Sequence, residues 1–247
     1  MIKKCKFVFL SHIYMEKKDL VTGSFCATYI YDSNCFSLLN EEEANMVENH
    51  SVVIKYRKGE TIIKQGTFAS NIFYIESGLV KVYIEGNAKN LILNITPSKN
   101  MLGLQSVYEG NNTFPYSVST YSPTIVRSID VAIFKQLLRQ NPAFANRIIN
   151  ILNESTAQIY GRFYSLTRKQ LHGRLADILL CLSNRIFKNN SFELPLSRND
   201  LGELTSMSTE SVIRLMKEFK DDGLIEMKTK SITLLDIQRL HKISELG

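Results

Sequence analysis

The spacing of apolar positions divides the chain into segments of different texture. From Ser51 to about Ile133, short β-branched and aromatic runs alternate with turn residues. The runs are Val52-Val53-Ile54, Thr61-Ile62-Ile63, Ile72-Phe73-Tyr74-Ile75, Leu79–Ile84, Leu91–Ile95, Tyr116–Ser119 and Thr124-Ile125-Val126. Turn punctuation falls at Lys58-Gly59, Gln65-Gly66, Ser77-Gly78, Glu85-Gly86-Asn87 and Pro97-Ser98. Short strands at such near-regular spacing predict a barrel or a sandwich. Ahead of them, Asn40-Glu41-Glu42-Glu43 predicts a helix start, with a capping Asn and acids at the positive end of the helix dipole. Residues 1–36 have weak periodicity and read as an N-terminal extension.

From Asn141-Pro142 the period changes. Ala145, Ile148, Leu152, Ser155, Ile159, Arg162 and Leu166 follow alternating steps of three and four, the seam of a long helix, with Pro142 in its first turn. Polar Ser155 and Arg162 interrupt the seam, so the pattern leaves a core helix and a dimer coiled coil both open. Leu166–Arg185 predicts a further helix and Phe192–Leu196 a short strand. Two short helices follow, then a hairpin through Ile225–Leu235 turning near Lys228-Thr229-Lys230, and a terminal helix.

The two short helices carry the most informative stretch. Ser197 can cap the first, with Leu201 and Leu204 on its apolar face. Thr205-Ser206-Met207 is a tight turn. Ser208 caps the second helix, whose inner face is Val212, Leu215, Met216 and Phe219. Helices joined this closely form a helix-turn-helix, whose second member enters the DNA major groove. Its outer face carries Thr209, Glu210, Ile213, Arg214 and Lys217. A guanidinium matches guanine bidentately, and a carboxylate accepts from cytosine. Glu210 and Arg214 also stand four residues apart, the spacing of an ordinary surface ion pair, which could orient the arginine for its base.

Composition adds bounds. The chain has 247 residues, enough for one large or two modest domains, with an ordinary globular mix of 44% apolar and 22% charged residues. The net charge is +6, yet residues 171–247 carry eleven basic and eleven acidic residues. Half of the excess, +3, falls in residues 141–170. Any DNA-binding argument therefore rests on placement and not on total charge. Four scattered cysteines are too few for a disulfide scaffold and suit a reducing compartment. The apolar run after Lys3, Lys4 and Lys6 is too short for a signal peptide, and no stretch approaches a membrane span. These features predict a cytoplasmic protein with no membrane partner.

Residues 50–240 resemble the Crp/Fnr family of bacterial transcription regulators. The resemblance rests on Lys58-Gly59-Glu60, Gln65-Gly66, Ser77-Gly78, Asn141-Pro142, Gly173-Arg174-Leu175-Ala176 and the Glu-x-x-x-Arg pair at Glu210 and Arg214. Ser206–Arg214 and Gln170–Asp177 are similar to the branch found in Bacteroidota. The resemblance implies an α+β architecture: an N-terminal double-stranded β-helix (a cyclic-nucleotide-binding-like β-roll), a long dimerisation helix and a C-terminal winged helix-turn-helix. The implied divisions are an extension at 1–36, a sensor at 37–140, the dimerisation helix at 141–168 and the DNA-binding domain at 169–247. It further implies a sequence-specific regulator, not an enzyme. Such a regulator binds double-stranded DNA as a homodimer on a near-palindromic operator, with RNA polymerase as a further partner. Glu210 and Arg214 would contact base edges and Thr209 would tune the half-site. Arg198 and Ser208 would contact phosphates, with Ser211, Ile213 and Lys217 completing the surface. The dimer interface would comprise Ile148, Leu152, Ile159, Phe163 and Leu166, and the hinge would fall near Leu166–Gln170.

The sensor departs from the family's cyclic-nucleotide pattern. Gly103 stays, but Leu104 stands at the glutamate position, Phe114 at the arginine and Pro115 at the serine; Ile159 and Tyr160 replace two small hydroxyl residues. Cyclic AMP is therefore disfavoured, and Gly103, Leu104, Tyr108, Phe114, Tyr116 and Ile159 define an apolar pocket that either packs shut or holds an apolar ligand. The family's 4Fe–4S cluster is also disfavoured. Cys26 and Cys35 have the outer spacing of its cysteine triplet, but Tyr29 takes the middle position and the β-roll has no cysteine. A Cys26–Cys35 thiol switch stays open, while Cys181 reads as a buried small hydrophobe. None of His12, His50, His172 or His241 sits at a seam or pocket position, which argues against haem. The expected signal is thus something other than cyclic AMP. An effector-independent or haem- or redox-sensing regulator of the same fold is an alternative, and a cupin-like metalloenzyme a distant one.

Overall fold

The computed structural model of the protein describes residues 34–108, 110 and 112–247. The predicted extension lies outside them except for its last three residues, and so do Cys26, Tyr29 and His12. A 3-10 turn, Asn34–Leu38, opens the described chain. Cys35 and Phe36 of this turn pack into the sensor core, Phe36 edge-on to Tyr74 at 5.1 Å. Packing of the sensor thus begins before residue 37. Helix α1, Glu41–Asn49, starts as the sequence predicts: Asn40 Oδ1 accepts from Glu43 N–H, and the Glu43 carboxylate accepts from Asn40 N–H.

The strand texture becomes two four-stranded antiparallel sheets. One has the order β1 (Ser51–Tyr56), β8 (Thr124–Asp130), β3 (Asn71–Ser77), β6 (Met101–Leu102); the other has β2 (Thr61–Ile63), β7 (Ser117–Thr120), β4 (Leu79–Ile84), β5 (Leu91–Pro97). Alternate residues such as Ile75, Val80, Val82, Val118 and Val126 point between the sheets and are fully or almost fully buried. The strand pattern ends earlier than the apolar run implies. Asp130 closes β8 and caps helix α2, Val131–Gln140, accepting from Ala132 N–H at 2.7 Å. The β-branched Val131 and Ile133 are therefore helical, because Phe134 and Leu137 bury one face of α2 and Phe134 meets Phe144 edge-on at 5.5 Å.

Helix α3, Pro142–Arg168, is the long helix. Its burial pattern corrects the predicted seam. Phe144, Ile148, Ile151, Ser155, Arg162 and Ser165 face the protomer's own body, so Ile148 is core rather than a free interface residue. The outward side is instead Ile149, Ile159, Tyr160, Phe163 and Tyr164, with Leu152 and Leu166 half-buried at its margin.

The single helix predicted at Leu166–Arg185 is broken at Lys169-Gln170, where both residues are extended. The break is held by polar contacts. Lys169 Nζ donates to Asp177 at 2.8 Å, and Arg174 Nε donates to the Lys169 carbonyl at 2.9 Å. Helix α4, Leu171–Cys181, then widens into a π-turn, Leu182–Phe187. Cys181, read from the sequence as a buried small hydrophobe, is buried on α4.

The C-terminal unit adds β9 (Ser191–Glu193), α5 (Arg198–Thr205), α6 (Thr209–Asp221), β10 (Ile225–Met227), β11 (Ser231–Leu234) and α7 (Ile237–Leu246). Its three strands order as β10-β11-β9, antiparallel, with the hairpin turn at Lys228–Ser231. Its core is continuous with the sensor: Leu79, Ile92, Ile95 and Tyr121 of the roll pack in one cluster with the buried residues of α4, α5 and α6.

Candidate nucleic-acid interface and sensor cavity

The two-helix unit is tied at every junction. Ser197 caps α5, its hydroxyl accepting from Asp200 N–H at 3.0 Å, and the Asp200 carboxylate accepts from Ser197 N–H at 2.9 Å. Ser206 takes the left-handed conformation at φ 54°, and Met207 N–H donates to the Gly202 carbonyl. A Cβ on Gly202 would stand 2.9 Å from the Met207 carbonyl oxygen, so the turn requires glycine there. Ser208 caps α6, accepting from Ser211 N–H at 3.1 Å. Val212, Leu215, Met216 and Phe219 are buried, which leaves Glu210, Ile213, Arg214 and Lys217 exposed along one side of α6.

Thr209 and Ser211 are half-buried beside this row, and the Thr209 hydroxyl donates to Asn199 Oδ1 at 3.4 Å. Arg198 is half-buried and leans on the hairpin, Nη2 to Met227 Sδ at 3.5 Å; burial lowers its pKa. The pairing expected between Glu210 and Arg214 is replaced. Arg214 Nε lies 3.8 Å from Glu218, which also meets His172 Nε2 at 2.9 Å. Glu210 turns back to its own N–H and the Ser208 hydroxyl, contacts that hold its carboxyl below the usual range. The helix start offers Glu210 donors that lie closer than a side chain one turn away.

The sensor cavity has a volume of about 260 Å³ and lies between the roll and α3. Of the six pocket residues expected, Leu104, Tyr116 and Ile159 line it. Phe114 instead fills the core between the sheets, 6.2 Å from Phe73, and Tyr108 is 63% exposed and away from the cavity. Gly103 supports the wall from behind at φ +89°. Its N–H donates to the Tyr116 hydroxyl at 2.9 Å, which in turn donates to Gln105 Oε1 at 2.9 Å.

The cavity is not wholly apolar. Ser155, Gln158 and Arg162 line it from α3, on one helical row at steps of three and four. Two of these, Ser155 and Arg162, are the polar positions that break the seam in the sequence. Arg162 is only 7% exposed, its Nε has no hydrogen-bond partner among the described residues, and its Nη2 reaches the Ile92 carbonyl at 3.4 Å.

Two further expectations meet the structure here. Cys35 is fully buried with its thiol toward Met101 Sδ at 3.7 Å, and burial pushes it up to about 11. Such a thiol is protonated at neutral pH, the less nucleophilic form of the group. Among the described residues no group of three or more His, Cys, Asp or Glu is placed to hold a metal. His50 Nδ1 donates to the Met46 carbonyl at 2.9 Å, and His172 Nε2 meets Glu218 at 2.9 Å, both on the surface.

A helix-turn-helix with a hairpin wing, joined by a long helix to a β-roll, defines a class of DNA-binding transcription regulator with an attached sensor domain. Residues 173–243 match the Crp-like helix-turn-helix domain, and residues 53–141 match the cyclic nucleotide-binding domain. The chain is 26% identical to the transcriptional activator protein FnrA of Stutzerimonas stutzeri, covering 73% of this chain and 75% of that protein. It is 24% identical to electron transport regulator A of Shewanella oneidensis, covering 92% and 89%. In fold it is similar to a variant of CooA from Carboxydothermus hydrogenoformans, with a TM-score of 0.72, 20% identity, and coverage of 89% and 99%. The chain belongs to the Crp/Fnr family of DNA-binding transcription regulators. No helix among the described residues is long and apolar enough to cross a membrane.

Proposed function

We propose that this regulator works in the cytoplasm as a homodimer, without enzymatic activity, reads a near-palindromic operator through α6 and answers a signal other than cyclic AMP. The observation that carries the reading is the two-sided α6. Its inner face is packed as core, while Glu210, Ile213, Arg214 and Lys217 stand exposed beyond the Ser208 cap. Arg214 supplies the bidentate donor for a base, Glu210 an acceptor, and Lys217 a phosphate contact. Arg198, Thr209 and Ser211 flank them. The exposed apolar side of α3, with Ile159 and Phe163 at 58% and 68% exposure, suits the second copy.

The choice of signal rests on the cavity. A cyclic nucleotide phosphate needs a cation and free backbone donors at the turn after β6. The turn presents Leu104 to the cavity, Phe114 is committed to the core, and the Gly103 N–H is already used by Tyr116. These observations at the turn support a signal other than cyclic AMP. Selection of bound duplexes from a random pool, with wild type and Arg214→Ala, tests DNA reading. A palindromic consensus that weakens at one symmetric pair of positions in the variant is expected. Selection of no consensus by the wild type would defeat the proposal.

A further inference from the structure

Among the described residues Arg162 is a buried cation only partly satisfied: its Nε has no partner and its Nη2 has the Ile92 carbonyl at 3.4 Å. A buried guanidinium without matched acceptors is among the most costly groups a fold can hold. Burial dominates its environment and brings it down to about 10. Nearby Asp177 favours its charge and Arg174 opposes it. The Asp177 oxygens are already occupied: Ser165 donates to one at 3.0 Å, and Lys169 Nζ and the Ser244 hydroxyl donate to the other. At neutral pH Arg162 remains charged, walling a cavity lined by apolar Leu93, Leu102, Leu104 and Ile159 and by polar Asn94, Thr96 and Gln105.

We infer that the cavity takes a small organic carboxylate with an apolar body, its carboxylate paired with Arg162 and its body against Leu93, Leu102, Leu104 and Ile159. This rests on the reading that the regulator answers a signal other than cyclic AMP, and it names the chemical class of that signal. A single guanidinium balances a monoanion; a second negative charge would be left buried and uncompensated. The volume of about 260 Å³ equals roughly nine waters, room for a compact acid. Gln158 and Ser155, one and two turns before Arg162, put an amide and a hydroxyl on the same row for the remaining lone pairs of the carboxylate. The anchor is placed to matter for DNA binding. Arg162 lies between the cavity and Asp177 of α4, and α4 opens the DNA-binding unit beyond the helix break. A ligand that neutralises Arg162 changes the field felt by the Asp177 cluster.

Full-length protein should be titrated calorimetrically with octanoate and with phenylacetate, each against its uncharged counterpart, 1-octanol or phenylacetamide. The two acids separate an aliphatic from an aromatic body. At least one acid is expected to bind once per protomer, tenfold or more tighter than its neutral counterpart. Arg162→Met should abolish this preference while raising the melting temperature of the ligand-free protein, and Arg162→Lys should retain part of it. A purely structural arginine would give the opposite shift in melting. Equal binding of acids and neutral counterparts, no binding of either acid, or an undiminished preference in Arg162→Met would overturn the inference. The acid-against-neutral comparison in wild type needs no variant to fold. DNA binding, followed separately by fluorescence anisotropy without added acid, keeps the regulator reading distinguishable: it can stand when carboxylate binding fails.

Discussion

Lys81 Nζ lies 2.7 Å from Asp200 Oδ1, joining strand β4 of the sensor to helix α5 of the DNA-binding unit across 119 residues of sequence. The same carboxylate closes the capping box of α5 with Ser197, so one residue both starts the first helix of the motif and docks it. Lys81 also sits over the rings of Tyr83 and Tyr121, at 5.5 and 5.6 Å. Lys81→Met keeps the stem's packing and the α5 cap but removes the docking charge. Breaking a largely buried pair from one side leaves the other charge uncompensated, a cost of about 1–3 kcal/mol here, where some exposure remains. Hydrogen exchange should show faster opening at α5 and β5 than in wild type. Unchanged protection would remove Lys81 from the docking.

The pair also sets a pH dependence. Burial by itself raises the Asp200 carboxyl, but Lys81 and the Ser197 hydroxyl and N–H outweigh it and hold the group below its ordinary 3.8. A carboxyl depressed on folding contributes stability that is complete above the ordinary value and is lost as pH falls through the folded one. Between about pH 5 and pH 2 the wild type should therefore lose stability more steeply than Lys81→Met, read as urea midpoints. Parallel curves would assign the acid sensitivity to other carboxylates.

Arg214 bears on binding and hardly at all on the fold. Among the described residues its ionic partner is half-exposed Glu218 at 3.8 Å, a pairing of the surface kind. Arg214→Ala should change stability by no more than about 0.5 kcal/mol and cost about 1–3 kcal/mol in preference for operator over scrambled duplex. Lys217→Ala should weaken both duplexes alike and reduce the slope of affinity against salt by about one. Equal preference for operator in wild type and Arg214→Ala would end its assignment to a base.

Local chemistry made much of this architecture legible. The Asn40, Ser197 and Ser208 caps, the turn glycines and the apolar face of α6 are each specified within a few residues, and each forms as its pattern dictates. What the sequence obscured depends on distant packing. Ile148, Ser155 and Arg162 share a helical row with Leu152 and Ile159, and period alone cannot say which side meets the body. The polar interruptions at Ser155 and Arg162 held the information: they face a cavity that only the folded roll supplies. Phe114 occupies the position of a ligand cation yet packs between the sheets, because an aromatic side chain there gains more from burial than from lining a pocket. Glu210 pairs with its own helix start instead of Arg214, a competition that residue spacing does not reveal.

The two sides of α3 can be separated by mutation. Ile148 is 4% exposed and packs with Phe144 and Ile151, while Phe163, on the same helix, is 68% exposed. If the outward side is the dimer seam, Phe163→Asp places a charge in an apolar interface at no cost to the protomer's own core. Sedimentation should then show a monomer whose far-ultraviolet spectrum is unchanged, with operator affinity reduced because each half-site is bound alone. Ile148→Ala removes buried methyl groups and should cost about 2–5 kcal/mol of protomer stability. It should leave the dissociation constant of the dimer almost untouched where the protein remains folded. A Phe163→Asp protein that sediments as a dimer would put the contact between copies on another surface, and α3 would then serve only to join sensor and reader within one chain.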